Sequence, residues 1–299
     1  MSTSQDEQLF HQVVCRPALP LDFTGMLELT SQIWEGDDYV PNVWHAWLFD
    51  PEGLLAVAEF KGKVVGLGKL TKLSLQDWWL EGLRVHPQFE GRGVASRIHK
   101  YLLDTWEKIG SGTIRFATVS TREPVKHLAQ VNGFHLAGEY STFKCATKNG
   151  SPKNSDPFTQ IEVHENQDVV DWFASHSLEW LPFGLLNLGW QFAPPQEKYL
   201  AKYLDDKQIW WWKQDRGVIF LAEKNDGSDI WGRVRQLDCD PNDLVALLSD
   251  TLILAARFGY AGITWLAPMI PGIEILTAEA GFQRDWESSL LVFEKTSSK

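Results

Sequence analysis

Between Leu80 and Leu103 the chain reads LEGLRVHPQFEGRGVASRIHKYLL, and its centre, Gly91-Arg92-Gly93-Val94-Ala95, has the composition of an anion cradle. Two glycines clear side chains away from a row of backbone N–H groups. The helix expected to follow adds its unpaired first-turn donors and the positive end of its dipole. A pyrophosphate fits such a place, and Arg92, Arg97 and Lys100 offer partners for further phosphate. The strand feeding the loop carries Glu81. Strand alternation puts Glu81, Leu83 and Val85 on one face, so a carboxylate able to take a proton stands just upstream of the cradle. The alternative role for Glu81 is structural, as a strand-end carboxylate paired with Arg84 or a lysine.

A dinucleotide fold is the nearest generic alternative for a Gly-rich loop between strand and helix. Its fingerprint G-x-G-x-x-G needs a third glycine where this chain has Ser96, and it ends the first strand of its unit, whereas several strands precede this loop. The acidic ribose partner expected after the next strand is replaced by Thr118, Val119 and Ser120.

The run Val85-His86-Pro87-Gln88-Phe89-Glu90-Gly91-Arg92-Gly93-Val94-Ala95 resembles the acyl-CoA loop of the GNAT superfamily of N-acetyltransferases, whose pattern is Gln/Arg-x-x-Gly-x-Gly/Ala. Arg92, Gly93, Val94 and Ala95 fit its last four places, and Glu90 departs from the usual Gln/Arg. A second motif follows as a strand over Thr113 to Val119, a helix, and Asn132-Gly133-Phe134 leading into a final hairpin. The resemblance covers roughly residues 12 to 146. Asp38-Tyr39-Val40-Pro41, His45-Ala46-Trp47-Leu48-Phe49-Asp50-Pro51 and Val65-Gly66-Leu67 resemble, more narrowly, the vertebrate histidine N-acetyltransferase branch.

This resemblance implies acetyl-CoA as co-substrate, held by Leu83, Arg84, Val85, Glu90, Gly91, Arg92, Gly93, Val94, Ala95 and Ser96. It implies direct attack of a primary amine on the thioester in a ternary complex, with Glu81 as base. Where the family often has a proton-donating tyrosine before the Gly-Phe pair, this chain has Ala129. Tyr140 is the named substitute, with Ser120 and Thr121 behind it; His127 reads as a surface histidine. Tyr39, Trp44 and His45, with Trp47, lie in the segment that approaches the amine. They are candidates to bind an imidazole or aromatic group, or else they plug the space between helices. Three functions are compatible: an acetyltransferase for a small-molecule amine such as an amino acid, a catalytically silent CoA-binding module, or a protein lysine or N-terminal acetyltransferase.

The 299 residues suffice for two domains, and 44% hydrophobic content can fill two cores. The net charge of −11 argues against nucleic acid, which needs a cationic surface. No apolar run reaches membrane-span length, and the opening residues MSTSQDEQLF are polar and unlike a signal peptide. Cys15, Cys145 and Cys239 are widely separated, which fits reduced thiols in a cytoplasmic protein, and they lack metal spacing. No metal is expected, no membrane partner, and the oligomeric state is not readable.

The elements that must position these residues follow a mixed α/β pattern. Strands are expected at Val13 to Arg16, Leu54 to Phe60, Lys63 to Leu70 and Trp78 to Val85. Helices are expected over Leu21 to Trp34 and, carrying a buried stripe through Ile98, Tyr101, Leu102 and Trp106, over Val94 to Ile109. The Ser-, Pro- and Asn-rich segment at 148–157 reads as a linker between a catalytic domain, 1–147, and a second domain, 158–299. That second half repeats the organisation: hairpin strands at Ile209 to Lys213 and Val218 to Glu223, strands at Trp231 to Leu237 and Ile263 to Leu266, a helix over Leu244 to Phe258, and Gly281-Phe282 before a last strand over Ser289 to Glu294. Asp238-Cys239-Asp240-Pro241-Asn242-Asp243 stands where the first half has its cradle. It has no glycine, a proline without an N–H and three carboxylates, so the expectation is a degenerate GNAT-like domain in which Asp240 or Asn242 merely caps a helix.

Overall fold

The structure, a computed structural model, describes residues 12–147, 157–175 and 180–297. It is a mixed α/β protein, and its chain separates into two compact units. The first comprises the chain up to Phe116, His127–His135, and the end of the chain from Glu294. The second comprises Ala117–Lys126 and Leu136–Phe293. Apart from Pro157, the expected linker lies outside the described residues.

In the first unit, β1 (Val14–Pro17), β2 (Leu54–Phe60), β3 (Lys63–Lys72) and β4 (Asp77–Val85) run antiparallel in that order, and β5 (Thr113–Val119) lies parallel to β4. Lys61 and Gly62, both left-handed at φ 50° and 78°, close the β2–β3 hairpin. Helices α1 (Phe23–Thr30) and α2 (Val40–Leu48) bury Met26, Leu29, Val40 and Trp44 against Leu55, Val57 and Leu67 of the sheet. Helix α3 (Val94–Ile109) crosses over from β4 to β5, as a parallel pair requires. It buries Val94, Ile98, Leu102 and Trp106, while Tyr101 is half-buried.

Two features depart from the sequence reading. The helix expected over 21–34 stops at Thr30, whose hydroxyl bonds back to the Met26 carbonyl at 3.0 Å. The chain then turns left-handed at Trp34 and Glu35, φ 48° and 58°. In addition, β4 and β5 pair only from Asp77↔Thr113 to Trp79↔Arg115 and then part. Buried Arg115 clamps the paired end, donating to Asp77 at 2.7 Å and Glu294 at 2.8 Å.

In the second unit, β6 (His135–Ala146) pairs antiparallel with β13 (Gly262–Pro268) from Tyr140↔Pro268 to Ala146↔Gly262, which is why this strand belongs there. Next to β13 come β12 (Asp229–Cys239), β11 (Gly217–Asp226), β10 (Ile209–Trp212) and β7 (Phe158–Gln160). Helix α4 (Leu244–Arg257) connects the parallel strands β12 and β13, repeating the β4–α3–β5 crossover. Leu244, Leu247, Leu248 and Leu254 fill its core with Trp212 and Trp265. The second unit also holds a short antiparallel ribbon, β8 (Leu186–Asn187) with β9 (Phe192–Ala193).

Candidate active site

The cradle forms at the exit of β4. His86 Nδ1 accepts from the Gln88 amide and fixes a 3₁₀ turn over Pro87–Phe89, which leads into Gly91 and Gly93. Both glycines are left-handed, φ 70° and 77°, and Gly93 is the residue before the first turn of α3. A side chain at Gly91 would meet no neighbouring atom within 4 Å, so its constraint is backbone conformation and open approach rather than packing. Among the described residues, no loop or turn bond uses the amides of Gly91 to Ser96. These amides are therefore available to an anion. Val94 is buried beneath the loop, while Glu90, Arg92 and Ser96 are exposed. The exposure of Glu90 leaves its charge in solvent.

Of the three basic residues near the loop, two are occupied. Arg97 donates to the Val13 carbonyl, and Lys100 pairs with Asp104 at 2.8 Å. Arg92 has no ion pair among the described residues and stands at the loop itself.

The strand alternation expected for Glu81, Leu83 and Val85 does not hold. On β3 a single residue, Gly68, separates Leu67 (opposite Arg84) from Lys69 (opposite Glu81), whereas β4 places Gly82 and Leu83 in the same interval. This is a β-bulge with Gly82 at φ 66°, and one extra residue inverts which side chains share a face. Glu81 and Arg84 face the side of Leu67 and helix α2. Leu83 and Val85 lie over Gly68 and Gly66, on the side where Ile98 and Val94 of α3 approach. Gly82 is fixed a second time, since a methyl group there would sit 2.6 Å from the Trp47 ring.

On the Glu81 face the groups interlock. Thr71 donates to Glu81 Oε1 at 2.6 Å. Lys69, 1% exposed, bonds to Asp50 and to the Leu70 carbonyl at 2.9 Å. Burial pulls its ammonium pKa below the usual lysine value, against the pull of Asp50 and Glu81. Arg84 is not the partner of Glu81. Its guanidinium forks onto Asp38, at 2.7 and 3.2 Å, and lies 4.2 Å from the Trp34 ring centre and 5.3 Å from that of Tyr39. Burial raises the Tyr39 hydroxyl above the normal tyrosine range; Arg84 opposes that shift, and Glu81 and Asp38 add to it. Glu81, Arg84 and Tyr39 thus form one electrostatic group.

The other acceptor candidates separate. Trp44 is wholly buried in the α1–α2 core, so it is a packing residue, as the plug alternative supposes. His45 is exposed on α2 and stacks on Phe23 at 5.3 Å. Tyr140 belongs to the second unit and is buried against Phe183 and Phe192, which raises its pKa above the ordinary tyrosine value. Ser120 is tied to Ser289, and His127 is exposed. Sequence reasoning missed Asp38, Trp34, Lys69 and Thr71 as parts of the Glu81 face. Gly82 was the available signal, because a glycine inside a strand pattern marks a bulge.

The splayed parallel strands, the bulge close to where they part and the open amide loop make an α/β domain with a free anion cradle at the end of its central strand. Residues 23–134 match the acetyltransferase (GNAT) family, and this region is a GNAT acetyltransferase domain. A human protein named "Probable N-acetyltransferase 16" is 33% identical over 81 residues, covering 27% of this chain and 22% of that protein. The histidine N-acetyltransferase of Xenopus tropicalis is 32% identical over 89 residues, covering 27% of this chain and 26% of that enzyme. The matches therefore span about a quarter of these relatives' length. In fold the likeness extends over nearly the whole chain. A GCN5-related N-acetyltransferase from Sphaerobacter thermophilus superposes with a TM-score of 0.62 at 13% identity, covering 95% of this chain and 96% of that one. A tandem GNAT protein from the clavulanic acid biosynthesis pathway superposes at 0.58 and 12% identity, covering 96% and 99%. The architecture is that of two tandem GNAT-like domains. The GNAT family uses acetyl-CoA as co-substrate. Among the described residues there is no cluster able to hold a metal and no helix long and apolar enough to cross a membrane.

Proposed function

We propose that this protein is an N-acetyltransferase that moves the acetyl group of acetyl-CoA to the primary amine of a small molecule, an amino acid such as histidine being the first acceptor to test. The observation that carries the proposal is the row of uncommitted amides from Gly91 to Ser96 at the end of a bulged strand whose opposite face bears Glu81. Gly91, Arg92, Gly93, Val94, Ala95 and Ser96 would hold the pyrophosphate, with Leu83, Arg84 and Val85 contributing main chain to the pantetheine arm. Glu90, exposed, would take no direct part.

A free α-amine titrates near ~8, so an amine bound at neutral pH must lose a proton before it attacks. Glu81 would take that proton, directly or through a water, while the amine nitrogen forms a bond to the thioester carbonyl carbon. Strand amides along the unpaired edge of β4 would hold the developing oxyanion. The C–S bond then breaks and CoA leaves as thiolate; with a thiol pKa near ~8.5, departure does not require a dedicated acid. Tyr140 is a poor candidate for that acid, since a buried tyrosine with a raised pKa releases its proton reluctantly. Tyr39, beside Glu81 and Arg84, and the more distant His45 would meet the acceptor.

The test is CoA release from acetyl-CoA with a panel of free amino acids, histamine, and peptides with free N-termini or lysines. Turnover on free amino acids supports the proposal. Turnover on peptides alone would make it a protein acetyltransferase, and binding without turnover a silent CoA-binding module. Gly91→Glu, which puts a carboxylate in the cradle, should abolish acetyl-CoA binding while the far-UV circular dichroism stays unchanged.

A further inference from the structure

The second unit repeats the frame of the first with the charge reversed. β4 ends in Val85-His86-Pro87 and β12 in Cys239-Asp240-Pro241, each followed by a 3₁₀ turn. The capping bonds match, His86 accepting from the Gln88 amide and Asp240 from the Asn242 amide at 2.9 Å. Counted back from the two prolines, Glu81 corresponds to Arg235. Both strands are bulged at this level. In β12 the extra residue is Arg235 itself, lying between Val234↔Leu221 and Gln236↔Phe220. Both strands also leave their parallel neighbour here: the last β12–β13 pair is Val234↔Trp265, one residue before Arg235.

Arg235 has a second cation beside it. Arg233, two residues earlier, is half-buried; burial lowers its pKa and the nearby Arg235 lowers it further, against the opposing pull of Asp226. Neither guanidinium has a hydrogen bond or ion pair among the described residues, and Arg235 Nε is completely buried without a partner. Two adjacent, partly desolvated cations with no carboxylate in direct contact are costly, and folded proteins ordinarily pair such groups. The surroundings are shaped around Arg235. A methyl group on Gly189 would lie 3.1 Å from its Nη1, and Gly189 is left-handed at φ 91°. Trp190 follows at φ 70°, an unusual conformation for a bulky residue, and is 54% exposed. Asn187 Oδ1 holds this turn by accepting from the Gly189 and Trp190 amides at 2.9 and 3.3 Å.

We propose that Arg235, with Arg233, binds the carboxylate of a small organic acid beside the Gly189–Trp190 turn. A planar guanidinium matches a carboxylate through two parallel bonds, and the exposed Trp190 ring offers an apolar face for the rest of the molecule. A phosphate is disfavoured relative to a carboxylate, because Asp238 at the end of β12 and Asp240 and Asp243 after it oppose a dianion more strongly than a monoanion, and Pro241 takes the place of an amide donor. The proposal concerns the second unit alone and stands whether or not the first unit transfers acetyl groups.

The experiment follows the arginine Nε–H resonances of the full chain during titration with acetate, N-acetylhistidine, N-acetylhistidine amide and inorganic phosphate. The expected result is a saturable shift with the two carboxylates, none with the amide, and weaker binding of phosphate. In Arg235→Gln the carboxylate affinity should fall at least tenfold, and Arg235→Met should raise the Tm in anion-free buffer, where a merely structural arginine would lower it. Equal binding of acid and amide, tighter binding of phosphate, unchanged affinity in Arg235→Gln, or no saturable shift at all would each overturn the assignment.

Discussion

His99 sets up a pH dependence that can be worked through from the structure. It lies on α3, 5% exposed, with its ring 5.9 Å from that of Phe116 and 5.6 Å from that of Phe134. Neither ring nitrogen has a hydrogen-bond partner. Burial, reinforced by the charge of Lys295, pushes its pKa down to about 4, from an unfolded value of 6.5. The folded protein therefore keeps this ring neutral where the unfolded chain would protonate it. The contribution to stability is full above pH 6.5 and declines as pH falls through the window from 6.5 to about 4. Each unit of that window is worth about 1.4 kcal/mol, so the loss reaches about 3 kcal/mol at its lower end and about 2 kcal/mol at pH 5. Other groups titrate over the same range, and a variant removes their contribution. His99→Leu keeps the apolar volume roughly constant and has nothing to protonate. Urea melts of both proteins at pH 7.5 and pH 5 should show the wild type losing about 2 kcal/mol more than the variant. The His99 ring proton in the folded wild type should not titrate near pH 6.5. If the two proteins lose stability in parallel, or if that resonance titrates with an ordinary histidine pKa, the ring is hydrated or partnered and the reasoning fails.

Two further outcomes test the candidate active site. Glu81→Gln should lower kcat by about a hundredfold or more and leave the acetyl-CoA Kd within twofold, because a base acts in the chemical step and the cradle is separate from it; an unchanged kcat would return Glu81 to a structural role with Thr71. Gly82→Ala introduces a methyl group against Trp47 and strains a left-handed residue, so it should cost about 2 kcal/mol by urea denaturation and reduce turnover. Wild-type stability in that variant would mean the bulge relaxes without consequence.

What the sequence makes legible is local. The range Val94 to Ile109 is set by its apolar stripe and by glycine just before it, and the helix occupies those residues. Lys61-Gly62 marks a hairpin because only a left-handed pair closes so short a connection between strands. The repeated strand–turn–helix–strand order in the second half is likewise a pattern of neighbours along the chain, and it is present in the fold. Register is not local. Whether Glu81 shares a face with Leu83 depends on how β4 meets β3, and no alternation within β4 reveals that Gly68 stands opposite two residues. The same limit applies to Trp44 and Tyr39. Both sit in one short aromatic segment, yet the twist of α2 sends one into the core and leaves the other 44% exposed beside Arg84. Asp38 carries part of the narrower resemblance, but its role, forking onto Arg84, gave no signal because it joins residues 46 positions apart.

The two bulges connect these observations. Each bulge lies close to where its strand leaves its parallel neighbour, and a charged side chain is presented at that level. In β4 the side chain so presented is Glu81, which suits a site where a cation must lose a proton. In β12 it is Arg235, which suits a site where an anion is held and nothing need be deprotonated. Residues 238–243 contain no glycine and carry a proline at 241, yet β12 has its bulge, and there the charged side chain is of the opposite sign to Glu81. On the two proposals above, the charge at that position is what separates an amine site in the first unit from a carboxylate site in the second.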